Sequence, residues 1–288
     1  MEVQMMKVKA AELRLRILET ALRAGKGHVA PAFSWVEIAV ALFHAGILRI
    51  DPQNPTWPNR DRFILSKGHA CLTLYGVLAD LGFLQQGALE SFCQDGSLLA
   101  GHPDPNIPGV ETVSGSLGHG LGVGAGLALG SRLDREDWMV FVLLGDGECD
   151  EGSIWEAAMF AGHHQLNNLV AIVDRNRLSA TDFTENVLAL EPLERRWEAF
   201  GWDVVSVNGH SFEEIMDTFA QVRDRSSAKP LAVMAHTIKG KGVSFMEGSP
   251  SWHHRLPKGE EVTLGLQQLR LALKEAEGQM VGEVCDAR

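Results

Sequence analysis

The chain reads as an α/β protein built on a parallel sheet flanked by helices. Two observations predict this. Val140 to Leu144 and Leu169 to Val173 are short apolar runs rich in Val, Leu and Ile, the pattern of strands buried on both faces of a parallel sheet. Between them Ile154, Ala157, Ala158 and Ala161 recur at helical spacing within Ser153–Gln165. Strand, helix and strand form one βαβ unit, which brings Asp146 and Asn176 to the carboxyl ends of two parallel strands. Open α/β sheets bind their ligands at that edge.

The remaining elements follow in order. Val8 to Arg23 carries Leu13, Ile17 and Ala21 on a helical stripe, closed by Ala24-Gly25-Lys26-Gly27-His28. Ser34 is expected to cap a second helix with Glu37 three residues on, its apolar face being Trp35, Ile38, Ala39 and Leu42. Asp51 to Pro58 is a turn-rich loop. Phe63 to Ser66 is a short strand, and Lys67-Gly68-His69-Ala70 leads into a helix through Leu78. Gly118, Gly122, Gly126 and Gly130 recur every fourth residue, which on a helix makes a smooth groove for another backbone. As a dinucleotide fingerprint that run fails, because no strand precedes it. Leu178 to Glu185 is a loop, and Asp203 to Val207 a strand. Asn208-Gly209 is a turn, and Ser211 with Glu214 makes a capping box for a helix to Val222. Leu231 to His236 is another strand. Glu260 to Glu277 is an amphipathic helix, and Gly278 to Arg288 a tail. Residues 1–257 read as one domain and 258–288 as a terminal helix and tail.

Composition excludes several classes. A net charge of −11 argues against nucleic acid as a partner. Hydrophobic and charged contents of 45% and 22% are ordinary. No apolar run has transmembrane length; the longest, Leu117 to Leu133, is broken by His119, Ser131 and glycines. Met1 to Arg16 has no signal-peptide core. Four cysteines without paired spacing speak against a disulfide framework or a zinc site. A cytoplasmic protein acting on small molecules, with no membrane partner, is the expectation.

Asp146 and Asn176 offer oxygen ligands only, which suit Mg²⁺ or Ca²⁺ rather than zinc. Mg²⁺ takes few protein ligands and completes its shell with phosphate and water. Gly145 and Gly147 strip side chains from both flanks of Asp146, so backbone N–H groups can approach an anion beside a helix N-terminus. The set describes a metal–diphosphate clamp. His28 and His69 each follow a glycine at an element boundary, and His102 stands in Gly101-His102-Pro103.

Gly145-Asp146-Gly147 with Asn176 downstream resembles the thiamine-diphosphate motif. Its extension through Glu151-Gly152 and Trp155-Glu156-Ala157 is similar to transketolase. So are Gly27-His28, Ser66-Lys67-Gly68-His69-Ala70, Gly101-His102-Pro103, Gly115-Ser116-Leu117-Gly118-His119-Gly120, the Glu191 to Gly201 helix, and Trp252-His253. Two departures stand out. Val29-Ala30-Pro31 follows His28 where the family usually has Pro-Gly, so the turn there should differ. His254 follows His253 where the family commonly has Gly, and either histidine could act, with His253 favoured.

The resemblance implies a thiamine-diphosphate-binding domain and transfer of a two-carbon ketol unit from a ketose to an aldehyde. It implies that Asp146, Asn176 and the Leu178 carbonyl hold Mg²⁺, with Ca²⁺ able to substitute. Gly145, Gly147 and His69 would meet the cofactor's diphosphate, and Gly115, Ser116 and Leu117 would form the loop over it. His28, His102 and His253 would line the substrate channel as hydrogen-bond donors or general acid/bases. Glu151 would lie at a subunit contact near the partner's activating glutamate. In the family that glutamate lies on a second domain, after this one. The chain stops at Arg288, so the expectation is half an enzyme, working with a separate pyrimidine-binding subunit in a heterotetramer (α2β2) on a sugar or keto substrate. The glycine-striped helix and the Glu148–Glu151 turn are the expected contacts. The alternatives are the α subunit of a 2-oxoacid dehydrogenase or acyloin-forming enzyme, and a non-catalytic scaffold that binds cofactor.

Overall fold

A computed structural model of the chain describes residues 1–286. Helices α1 (Val3–Ala24), α2 (Val29–Phe33) and α3 (Val36–His44) precede strand β1 (Arg62–Leu65) and helix α4 (Cys71–Leu81). Helix α5 (Gly120–Leu133), strand β2 (Val140–Gly145), helix α6 (Gly152–His163) and strand β3 (Leu169–Arg175) make the central unit. Then come α7 (Thr184–Val187), α8 (Leu193–Ala199), β4 (Asp203–Asn208), α9 (Phe212–Ala220), β5 (Leu231–His236) and α10 (Glu260–Asp286).

The five strands form one sheet in the order β1-β2-β3-β5-β4, every pair parallel. Successive side chains of a strand point to opposite faces, and the core divides accordingly. Phe141, Leu143, Val170 and Ile172 face one apolar cluster, with α1, α3 and α4. Val140, Val142, Leu144, Ala171 and Val173 face the other, with α5, α6 and α8. Strands β2 and β3 pair from Val140 with Leu169 to Gly145 with Asp174, so the residues just beyond emerge side by side at one edge.

Four expectations need correction. Ser34 caps nothing: the chain is already helical at Val29–Phe33, and Ser34 itself has helical dihedrals. Its hydroxyl is buried and donates to Pro31 O at 2.8 Å and to the Asp174 carboxylate. A charged acceptor out-competes a helix cap there. Glu37, its expected capping partner, instead receives Arg14 at 2.6 and 2.7 Å. The segment Leu178–Glu185 is not a plain loop, because Leu178 bridges Phe183 and α7 begins at Thr184. The tail from Gly278 is helical to Asp286 as part of α10, with 287 and 288 outside the described residues. Last, Gly118 does not belong to the glycine-striped helix. It precedes α5 at φ +83°, and a Cβ there would lie 2.7 Å from Glu151 Cβ, so glycine is required on both counts.

Within α5 the glycines divide by face. Gly124 lets the helix settle on the sheet, since a Cβ there would lie 2.5 Å from Val142 Cγ2. Gly122, Gly126 and Gly130 have nothing within 4 Å of that position. Among the described residues no helix is long and apolar enough to cross a membrane.

Candidate cofactor and metal site

The ends of β2 and β3 place a buried carboxylate at the floor of a cavity. Asp146, 1% exposed, accepts Gly147 N–H through Oδ1 at 2.8 Å. Its Oδ2 accepts Arg175 Nη1 at 3.2 Å and the Arg177 N–H. Burial and then the neighbouring Asp174 push its carboxyl up to about 6, against the pull of Arg175. Asn176 turns its Oδ1 to Leu178 N–H at 3.1 Å and its amide nitrogen to Asp174. His69, Leu117, Gly145, Asp146, Gly147, Asn176, Leu178 and His253 all line this one cavity, so most of the residues picked from sequence converge. Gly145 N–H is already taken by Glu148 Oε2 at 3.0 Å. Gly115 and Ser116 are exposed and lie outside the cavity wall. Gly115, at φ +142°, packs instead on the His102 ring, 3.3 Å from where a Cβ would be.

Two residues that sequence reading passed over, Lys239 and Arg175, and one that it placed on the surface, Glu148, shape the site. Lys239, 3% exposed, enters from the loop after β5 and donates to Leu178 O and Ser179 O, each at 3.0 Å. Burial lowers its ammonium to about 8, although Asp146 pulls the other way. Its place just beyond a strand end on the same sheet edge was the available signal. Arg175 is buried beside Asp146 and also binds Thr184 Oγ1, Glu185 and Glu191. Glu148 is buried and not part of a contact surface: it accepts Ser66 Oγ, Gly118 N–H at 2.9 Å and Gly145 N–H. Of that acidic turn Glu151 is exposed, at the N-cap of α6, and does not line the cavity.

Beneath the floor, Asp174 is fully buried and receives Lys67, Ser34, Thr237 and Asn176. Its carboxyl is held below the ordinary carboxylate range: burial opposes this, but Lys67 and the hydroxyl donors prevail.

The histidines gather at the cavity's outer end. His28 lies 5.3 Å from His69, 5.5 Å from His253 and 4.5 Å from His254, between ring centroids. His69 and His253 are 5.1 Å apart. His28, His102 and His254 line an adjoining cavity with Lys26 and Lys258. Burial, then the crowding of His254, His102 and Lys239, lowers His28 to about 4, and burial, then Lys239, lowers His253 to about 3. His69 is lowered well below its usual value by burial and Lys67, and His102 by burial. These imidazoles are therefore neutral at physiological pH, each with one N–H to donate and one nitrogen to accept. His253 faces the inner cavity with a buried Nδ1 that has no partner among the described residues; His254 is exposed and faces the outer one. The departure after His28 is accommodated by α2, whose Pro31 lines the inner cavity and whose Ala30 carbonyl accepts Gly240 N–H at 3.0 Å.

A parallel sheet with an oxygen-donor, cation-lined cavity at its carboxyl edge defines an α/β protein that binds an anionic ligand at that edge. Over residues 5–277 the sequence matches the family described as transketolase, thiamine diphosphate binding domain, and the chain belongs to that family. It is 40% identical over 283 residues to one of the named subunits of the apulose-4-phosphate transketolase of Phocaeicola vulgatus, covering 98% of this chain and 100% of that protein. It is also 40% identical over 247 residues to the 6-deoxy-6-sulfo-D-fructose transketolase subunit SqwG of Clostridium sp., covering 85% and 89%. The transketolase of Campylobacter jejuni superposes with a TM-score of 0.83 at 29% identity, over 96% of this chain and 48% of that one. The chain thus spans just under half of that longer enzyme. It is a transketolase-type transferase component that uses thiamine diphosphate, and the 2-oxoacid dehydrogenase reading is set aside.

Proposed function

We propose that this chain is the diphosphate-binding subunit of a two-component, Mg²⁺-dependent transketolase. It would move a two-carbon ketol unit from a ketose to an aldehyde together with a separate pyrimidine-binding subunit. The observation that carries the reading is the convergence of Asp146, Asn176, the Leu178 carbonyl and Lys239 on one cavity at the sheet's carboxyl edge.

The residues fit the group. Carboxylate, carboxamide and carbonyl oxygens are the donors Mg²⁺ favours, and Ca²⁺ would be accepted by the same set. Among the described residues the desolvated Lys239 ammonium is held by two carbonyls and favours an anion; Lys239 with His69 would supply the diphosphate's counter-charge and hydrogen bonds. Thiamine diphosphate, when bound, provides the electron sink for breaking and forming the carbon–carbon bond. The chain's part is to orient and to handle protons. Leu117 and Gly147 both line the cavity, and Leu117 would bear on the bound cofactor. His28, His102 and His253, as neutral imidazoles, donate N–H to substrate oxygens or take a proton from a substrate hydroxyl.

Relatives named as transketolase subunits support a partner chain. The open glycine face of α5 and the exposed Glu151 are the surfaces we assign to it, in a heterotetramer. Unpaired Cys71, Cys93 and Cys149 suit a reducing cytoplasm. The donor is a small ketose or keto compound.

The test is reconstitution. The chain with its partner, thiamine diphosphate and Mg²⁺ should transfer a ketol unit, and the chain alone should not. Robust transfer by the isolated chain overturns the two-component reading. A His28→Ala, His102→Ala double variant as active as wild type in the complex would make the chain a scaffold.

A further inference from the structure

The outer cavity has a charge pattern of its own. It holds about 660 Å³, room for a small sugar, and no carboxylate is among the residues that line it. Lys26, Lys258, His28, His102 and His254 carry its polar groups. In a chain of net charge −11, an acid-free wall with two lysines reverses the local field and favours an anionic guest. Neither ammonium is already paired. Among the described residues the lysine ion pairs belong to Lys7, Lys9, Lys67, Lys229 and Lys241. Glu261 accepts the Lys258 backbone N–H at 3.0 Å, but its ion pair is with Arg255.

Both lysines stand on fixed backbone. Gly25 and Gly27 flank Lys26 at φ +64° and +126°, and a Cβ on Gly27 would lie 2.9 Å from Leu72 Cδ1. Upstream of Lys258, Arg255 stacks over the buried Trp252 ring at 4.2 Å.

His254 completes this wall. It stands where the family commonly has Gly, and the two consecutive imidazoles part company: His253 lines the inner cavity and His254 the outer. The His254 ring centroid lies 4.5 Å from that of His28, nearer than His69 at 5.3 Å or His253 at 5.5 Å. At that separation the rings touch, so His254 covers a side of His28 that glycine would leave open. A substrate reaching outward past His28 and His102 meets His254 and the two lysines with its far end.

We propose that Lys26, His254 and Lys258 form a recognition site on this chain for a tetrahedral oxyanion at the far end of the sugar, a phosphate ester or a sulfonate. The lysines supply charge, and the His254 ring supplies shape and a directed N–H. The inference rests on the ketol-transfer reading, with the reacting carbons toward the inner cavity.

The reconstituted complex is assayed with matched ketose donors ending in a phosphate, a sulfonate or a neutral hydroxyl. Wild type should favour an anionic end by about tenfold or more in kcat/KM, the scale of a hydrogen bond to a charged group. Preference for either anion supports the site, and their rank names the source. A Lys26→Ala, Lys258→Ala double variant, at two exposed positions, should lower the anionic-to-neutral ratio about tenfold, through KM rather than kcat. His254→Gly should fall between the two. An unchanged ratio in either variant overturns the proposal, and so does a wild type without preference. A second measurement needs no turnover. With thiamine diphosphate and Mg²⁺ filling the inner cavity, inorganic phosphate should shift the His254 and His28 imidazole C–H resonances of the full chain. Chloride at equal ionic strength should not, nor phosphate in the double variant. If the complex transfers no ketol unit from any donor, the functional reading fails, and the phosphate titration still decides the site: unshifted resonances overturn it.

Discussion

Glu148 Oε1 accepts the Gly118 N–H at 2.9 Å, tying the glycine-rich loop before α5 to the turn after β2. The same carboxylate receives Ser66 Oγ from the end of β1 and Gly145 N–H from the end of β2. One buried anion thus holds three segments of the cavity wall in register. In Glu148→Ala the two backbone donors lose their partner, at about 1–3 kcal/mol for each group left buried and unsatisfied. We expect a stability loss of about 3 kcal/mol by urea unfolding, with Glu148→Gln recovering part of it. An alanine variant with wild-type stability would refute the brace.

How much of this was readable from the chain follows from the range of each interaction. The βαβ unit was legible because its signals are local: two apolar runs, one helical stripe, and strand ends that had to present Asp146 and Asn176 together. Glu148 was misread as surface because its three donors come from elsewhere in the fold, and an acidic residue in a polar turn looks solvated. Ser34 failed as a cap for the same reason, its partner Asp174 lying 140 residues away. Lys239 sits among Thr237, Gly240, Lys241 and Gly242 with no periodicity to separate it from Lys241, which pairs with Glu247 near the surface. The end of β5 at His236 marked the segment as facing the sheet's carboxyl edge, and the tertiary structure then separates the two lysines.

Acid stability should report on Glu37. Burial alone would raise its carboxyl, but Arg14 and His210 hold it down at about 2, from an ordinary value of 4.5. A depressed carboxylate contributes its stability above the unfolded-state value, and the contribution fades as pH falls through the folded one. The shift corresponds to about 3 kcal/mol. The Glu37-dependent part of the urea midpoint should be flat from neutral pH to about 4.5 and then decline toward pH 2. Removing the charge with Glu37→Gln should destabilise the neutral protein and flatten that decline. An equally steep decline in the variant would count against the assignment.

The histidine cluster predicts an unusual pH response. With His28 lowered to about 4 and His253 to about 3, neither takes up a proton near its free value. The unfolded chain does, so acid between about 6.5 and 4 works against the fold through His28. In the reconstituted complex, His28→Ala should lower kcat/KM by about 10²–10⁴ if the imidazole handles a substrate proton. Imidazole C–H resonances followed by NMR through pH 6.5 should show no titration of His28; a normal midpoint there would remove the reason for treating it as a neutral donor and acceptor.

The open face of α5 separates a packing role from a partner role. Gly124 is needed by this chain itself, because a Cβ would strike Val142, so Gly124→Ala should destabilise it. Gly126 meets nothing within 4 Å, and alanine is favoured over glycine inside a helix by about 0.8–1 kcal/mol. Gly126→Ala should therefore raise the melting temperature of the isolated chain. If the glycine face receives the partner's backbone, the same methyl stands in the contact and a larger Gly126→Leu change more so. Co-purification with the partner should then weaken in the order wild type, Ala, Leu, while the isolated variants stay folded. Undiminished assembly of the leucine variant would move the interface off α5 and leave its glycines without a role in partner contact.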